Sequence, residues 1–290
     1  MPELPEVEVV KRSLTNKTQN LIIKAVKIND GRLRYKINRN KIKKIIGLKF
    51  KKISRRSKYL LFFFDKDIVM LVHLGMTGKF FFVNSKRRKY KTSFYYDLNE
   101  EKDKKHDRII FDLSNDNKLI YNDIRKFGFI KFVKRVSLDQ NIHLKHLGPE
   151  PLSTEFSVEY FKNFIKGRER TIKDLLMDQK FISGLGNIYV NEILFFSGVR
   201  PTKKIKKLTN SEIQKIIKFS KKIITKAIIL GGSSIKDFSS GSGKKGLFQQ
   251  HFSVYGKKGE NCSRFKQCNG RIKKIVLANR ASFFCNKCQK

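Results

Sequence analysis

Several groups of residues in this 290-residue chain have the types and spacing to do chemistry. The first is Pro2-Glu3, with Glu6 close behind. Once Met1 is removed, Pro2 carries a free secondary amine. An α-amino group titrates at about 7.7–8.0, well below lysine, so much of it is neutral and nucleophilic near pH 7. Amines attack carbonyl-like carbons to give Schiff bases, and a proline nitrogen gives a charged iminium directly. Glu3 would serve it as a proton donor if burial raised its pKa. Alone, the pair reads first as an ordinary exposed terminus.

The second group is Cys262-x5-Cys268-x16-Cys285-x2-Cys288. Four thiolates in two pairs are what a tetrahedral Zn²⁺ site needs, although the first pair is wider than the roughly two to four intervening residues common in such sites. No cysteine occurs before position 262, which points to a metal site in a reducing compartment rather than scattered disulfides. The arm between the pairs carries Arg271, Lys273, Lys274 and Arg280 and reads as a basic hairpin.

The remaining groups suit a polyanion. Gly184-Leu185-Gly186-Asn187 feeds a helix, with Asn187 where an N-cap belongs; backbone N–H groups there bind phosphate, and an ordinary helix–turn–helix explains the pattern equally well. Arg125 and Phe127 flank Lys126 at a turn. Arginine reads base edges, and an inserted apolar side chain props a base stack open. Met76, between Gly75 and Gly78, is a second apolar tip. Phe and Met are usually core residues, so each taken singly is first a packing residue. Lys58 precedes an apolar run at 59–64; a semi-buried lysine there could do acid–base work, and a plain surface lysine is the simpler alternative.

The elements that must position these groups are of two kinds. Residues 3–14 suit a helix with Val7, Val10 and Leu14 on one face. Short β-type segments follow at 21–28, 48–54, 59–65, 68–73, 79–83, 108–113, 118–122 and 129–133, a sandwich or barrel pattern, with a charged loop at 85–105. Gly148-Pro149-Glu150-Pro151 is a punctuated linker. Helical periods then occupy 157–166, 171–177, 188–197 and 211–230, the last capped by Thr209 or Ser211. Residues 252–290 form a small β-rich module. The fold class is α+β, with domains at 1–146, 147–251 and 252–290.

The formal net charge is +40. Such a field favours nucleic acid over membrane or acidic protein, though the abundance of Lys, Ile, Asn and Phe also bears the mark of an AT-rich genome. The first eight residues contain three glutamates, unlike a signal peptide, and the run at 59–64 is far too short to span a bilayer. A soluble, cytoplasmic protein is expected.

Together these motifs resemble the bacterial formamidopyrimidine-DNA glycosylase family, which excises 8-oxoguanine. PELPEVE, SKYLLF, HLGMTG, DIRKFG, HLGPEPL, SGLGNIY, SSIKDF, VYGKKGE and the cysteine tail with ANRASFFC occur in the family's order from residue 2 to residue 288. Leu4 favours this branch over endonuclease VIII-like enzymes, which act on oxidised pyrimidines; a non-catalytic DNA-binding protein on the same fold is the other alternative.

The resemblance implies an N-terminal helix with a β-sandwich, then a helix–two-turn–helix domain with a zinc finger holding one structural Zn²⁺, and duplex DNA in a basic cleft. It implies a monomer that removes oxidised purines and then cuts the abasic site. Pro2 would attack C1′, Glu3 would donate a proton at the sugar, and Glu6 would support the site. Lys58 would bind phosphate and assist β-elimination, and Arg280 would assist δ-elimination. His106, Lys173 and Asn187 would contact DNA, as would Arg168 and Arg170 on either side of Glu169. Met76, Arg125 and Phe127 would fill the gap left by an extruded base, Arg125 facing the orphan cytosine. A loop over 236–248, including Lys236, would close on the lesion. Cys262, Cys268, Cys285 and Cys288 would hold the zinc. Two positions depart from the family pattern: the first cysteine pair is C-x5-C rather than C-x2-C, and Ile124 stands where the wedge turn usually has proline.

Overall fold

The computed structural model describes residues 1–92, 104–233, 248–264 and 267–290. Lys236, with nearly all of the loop expected over 236–248, lies outside the described residues, as do 93–103 of the charged insert. The chain forms two compact units, residues 1–145 with 231–247, and residues 146–230 with 248–290.

The first unit opens with helix α1 (Leu4–Thr18). Glu3 is its N-cap, in a capping box with Glu6, and proline occupies its first turn, where no N–H partner is lost. Val7, Val10 and Leu14 are fully buried, as their spacing requires. The helix runs past residue 14 because Thr18 is itself buried and its hydroxyl donates to the Leu14 carbonyl.

Two antiparallel sheets follow. One has the order β1 (Ile23–Ile28), β7 (Asp107–Leu113), β8 (Lys118–Asp123), β5 (Gly78–Val83), β6 (Lys89–Lys91). The other has β2 (Phe50–Arg56), β3 (Tyr59–Phe64), β4 (Ile68–His73), β9 (Phe129–Lys134). Their inner faces share one core with α1: Phe62 of β3 meets Phe80 of β5 with ring centroids 5.6 Å apart. Every strand segment expected from alternation is present. Strand β6 and a short helix, α2 (Arg39–Lys43), were not expected, because so few residues cannot display a period.

The second unit contains α3 (Val158–Ile165), α4 (Ile172–Met177), α5 (Asn187–Ser197), α6 (Asn210–Ile229) and a hairpin of β10 (Ile272–Leu277) with β11 (Arg280–Cys285). Ser157, Thr171 and Thr209 cap α3, α4 and α6, and Thr209 completes a capping box with Glu212. Helix α5 is buried on nearly every side and packs against α4, α6 and β11. Among the described residues, no helix is long and apolar enough to cross a membrane.

Candidate active site and nucleic-acid interface

The N-terminus of α1 is a polar site inside the first unit. Pro2, Glu3 and Glu6 are buried, and Lys58 is only 6% exposed. Glu6 is held from both sides. Its Oε2 accepts the Glu3 backbone N–H at 2.9 Å, and its Oε1 accepts the backbone N–H and hydroxyl of Ser233 at 2.7 and 2.9 Å. Gly232, at φ +79°, passes so close that an added Cβ would lie 2.9 Å from Glu6 Oε1. Glu6 thus fixes where Glu3 begins the helix. Burial lowers the pKa of the Met1 amino group; Glu3 and Glu6 work against this shift, and Lys58 and Arg125 add to it. The structure therefore gathers the chain terminus, both glutamates, Lys58 and Arg125 within electrostatic reach of one amine.

Lys58 sits in the two-residue turn joining β2 to β3, after Ser57 at φ +56°. Two residues that sequence reasoning passed over hold this turn. Arg55 donates through Nη1 to the Ser57 carbonyl and through Nε to Glu8 Oε2, both at 2.9 Å. Burial pushes the Glu8 carboxyl up, but Lys11, Arg12 and Arg55 outweigh it and hold the pKa low. A glutamate two residues beyond Glu6 and an arginine three residues before Lys58 were the available signals.

Met76 and Phe127 are 41% and 45% exposed, so the core reading of these residues is wrong. The Arg125 guanidinium lies over the Phe127 ring at 4.6 Å, which presents cation and apolar face together. His106, half-buried in the turn before β7, lies 3.2 Å from Arg108 through Nδ1. His73 precedes the Met76 corner. Burial, then Lys58, Arg34 and His143, lower its pKa to about 4, and its Nδ1 accepts the Gly75 N–H at 3.1 Å.

In the second unit, Lys173 of α4 is 1% exposed, and its ammonium donates to Asn187 Oδ1 at 2.7 Å. Lys173 and the Asn187 amide both donate to the Ala281 carbonyl, at 3.4 and 3.0 Å. Ala281 follows Arg280, so these two residues hold the hairpin backbone beside the turn that carries Arg280. Gly186, not Asn187, is the N-cap of α5; Asn187 is already the first helical residue, and its side chain turns to Lys173 and the hairpin instead. Arg170, Lys173, Lys180, Ala278 and Arg280 line a cavity of about 560 Å³. Arg170 is paired with Asp178 at 2.6 Å. Arg168 lies over the Phe164 ring at 4.3 Å, and Glu169 pairs with Lys206.

The sulfurs of Cys262, Cys268, Cys285 and Cys288 lie within 4.8 Å of one another, with 3.8 Å between Cys262 and Cys288 and 3.6 Å between Cys268 and Cys285. Four sulfurs about 2.3 Å from one tetrahedral ion lie about 3.8 Å apart, so the donor set fits a metal despite the longer first pair. Gly270 leaves the room: a Cβ there would be 2.5 Å from Cys285 Sγ. Helix α5 anchors this module. Asn191 accepts the Phe283 N–H at 2.7 Å, and Glu192 accepts the N–H groups of Ser253, Val254 and Tyr255 at 2.8–3.0 Å.

Two family descriptions match the chain: "Formamidopyrimidine-DNA glycosylase N-terminal domain" over residues 1–130 and "Formamidopyrimidine-DNA glycosylase H2TH domain" over residues 147–239. A formamidopyrimidine-DNA glycosylase of Rickettsia massiliae is 40% identical over 289 residues, covering 100% of this chain and 97% of that protein. A Lactococcus lactis mutant enzyme solved with DNA containing Fapy-dG superposes with a TM-score of 0.84 at 33% identity, over 100% of both chains. The Lactococcus lactis enzyme with abasic-site DNA gives 0.83 at 33% identity, over 99% of both. With the motifs in order, the paired carboxylates at α1 and the four-cysteine hairpin on one fold, the chain belongs to the formamidopyrimidine-DNA glycosylase family.

Proposed function

We propose that this protein removes oxidised purines from duplex DNA through a Schiff base at Pro2 and then cuts the abasic site by β,δ-elimination. The observation that carries this reading is the buried set at the start of α1. The Met1 amine, one residue from Pro2, is desolvated by burial and lies within electrostatic reach of Glu3, Lys58 and Arg125. With Met1 in place the Pro2 nitrogen is an amide, so the active form begins at Pro2.

C1′ is not accessible in a stacked duplex, so the damaged nucleotide must be flipped out. Met76, Arg125 and Phe127 are exposed tips suited to occupy the gap. The Pro2 nitrogen attacks C1′ as the bond to the base breaks, and the departing base takes up the proton that the nitrogen sheds. Glu3 gives its proton to the sugar ring oxygen, the ring opens, and an iminium forms between Pro2 and C1′. That cation acidifies the C2′ hydrogens. Proton loss expels the 3′ phosphate, a second elimination expels the 5′ phosphate, and hydrolysis returns the amine. Lys58 and Arg280 neutralise the departing phosphates. Lys173, Asn187, Arg168, Arg170 and His106 supply backbone grip, which is sequence-independent and weakens steeply with salt. A single Zn²⁺ held by the four cysteines would fix the hairpin that presents Arg280. The enzyme works as a cytoplasmic monomer on chromosomal DNA.

The test is borohydride trapping on an 8-oxoguanine:cytosine duplex. Protein beginning at Pro2 should give a covalent adduct mapping to Pro2. An N-terminally extended form should give none, and an undiminished adduct from it would sink the terminal-amine mechanism. Glu3→Gln should lose base excision far more than cleavage of a preformed abasic site; equal losses would reject its assigned role.

A further inference from the structure

Met76 and the Arg125/Phe127 pair lie on two corners that cross between the sheets. Residues 74–77 lead from β4 to β5, and residues 124–128 lead back from β8 to β9. Register sets the corners side by side, because His73 faces Phe129 where β4 pairs with β9, and Gly78 faces Asp123 where β5 pairs with β8. Their backbones touch: a Cβ on Gly75 would lie 2.4 Å from both the Gly128 nitrogen and the Phe127 carbonyl carbon.

Asp123, fully buried at the seam, binds both corners. Its Oδ1 accepts the Thr77 hydroxyl at 2.5 Å, and its Oδ2 accepts the Gly128 N–H at 2.9 Å. The Thr77 oxygen in turn accepts the Arg125 N–H at 2.9 Å. Between the two wedge residues, Lys126 holds a left-handed φ of +58°, a conformation that a non-glycine residue keeps only when its surroundings impose it. Its ammonium is tied to Asp30 at 2.7 Å, and Asp30 also meets Arg108 at 3.4 Å. Arg108 closes the circuit by donating to the Asp123 carbonyl at 2.8 Å.

We propose that Asp123 is a positioning residue that locks the two wedge corners into one rigid body, so that Met76, Arg125 and Phe127 enter the base stack together. This rests on the reading of those three side chains as gap fillers. A base stack resists being opened, and tips on independently mobile corners would give way before the stack did. A buried carboxylate with one oxygen committed to each corner removes that freedom. It supplies the stiffness that Ile124, in place of proline, does not. Sequence alone hid the arrangement, because Thr77 and Asp123 are 46 residues apart.

The experiment compares Thr77→Val, Thr77→Ser, Asp123→Asn and the Thr77→Val/Asp123→Asn double variant. Each is measured in single-turnover excision of 8-oxoguanine opposite cytosine and of 8-oxoguanine opposite an abasic gap. Extrusion is easiest where the lesion has no pairing partner. Loss of one charged, buried hydrogen bond should slow excision from the paired duplex roughly 10- to 100-fold, and excision opposite the gap by no more than about threefold. Thr77→Ser should retain wild-type rates, and the double variant should be no slower than Asp123→Asn, since both disable one latch. A 2-aminopurine next to the lesion should lose its binding-induced fluorescence rise in step with the paired rate. Equal slowing on both substrates, or a wild-type fluorescence rise in Thr77→Val, would overturn the latch. If Asp123→Asn does not fold, the Thr77 pair decides the question alone. Wild-type protein inactive on both substrates would instead reject the glycosylase reading.

Discussion

The start of α1 in the first unit and the hairpin of the second place their working charges in opposite ways. In the first, Glu3, Glu6 and Lys58 are buried on a core that two sheets and α1 build together. In the second, Arg280 and the lysines of the hairpin reach solvent from a two-stranded element too small to hold itself. The contrast follows from the chemistry. A nucleophilic amine and a proton donor need desolvation to bring their pKa values toward neutrality. A phosphate grip needs reach, and needs only its backbone held still. The first unit builds on one large apolar core, on which Glu6 and the Arg55–Glu8 pair fix the polar residues. The second gets its geometry from four clustered cysteines and from polar side chains of α4 and α5 that grasp hairpin backbone.

If that contrast is right, metal removal has the largest effect. Structural zinc sites contribute roughly 10–16 kcal/mol to folding. Chelation should abolish DNA binding and open residues 252–290 to protease, while the thermal transition of the first unit stays in place. Unchanged affinity, or a first unit that melts with the second, would break the comparison.

Acid should act on the first unit. The His73 pKa is about 4 in the folded chain and about 6.5 when unfolded. Above pH 6.5 the ring is neutral in both states and costs nothing. As pH falls from 6.5 to 4, the unfolded chain takes up the proton first, and stability drops by up to about 3 kcal/mol. Melting temperature of the first unit should fall over that window, and His73→Gln should flatten the fall. An unchanged slope would show that His73 is not the buried neutral group described.

Polar anchoring should matter more in the second unit. Glu192→Gln replaces one acceptor with a donor facing the N–H groups of residues 253–255, a loss of about 1–3 kcal/mol. Differential protease sensitivity of the hairpin module measures it; a hairpin as resistant as wild type would mean the cysteines suffice. The smallest effect lies in the hairpin turn, where Ala278 and Asn279 both have positive φ. Ala278→Gly should stabilise the second unit by about 1 kcal/mol, read as a small rise in its melting temperature, and a fall would mean the turn is not strained.

Much of this was legible in the chain. Strand alternation and helical periods survive as elements because burial on one face imposes them locally, and PELPEVE and the cysteine spacing marked the chemistry. Thr209 over Ser211 as the cap of α6 was not decidable, since both residue types cap and only the geometry chooses. Asn187 misled for the same reason: it stands where caps stand, but its amide found better partners in Lys173 and Ala281.

By itself, then, the sequence determined the elements, the family and which residue types were available for catalysis, because these rest on local periodicity and on spacing along the chain. Tertiary structure alone decided that Glu6 is occupied holding Glu3 and Ser233, and that Asp123 joins two corners. Those facts depend on strand register and on which polar groups are buried together, and no spacing along the chain encodes a hydrogen bond between residues brought together only by the fold.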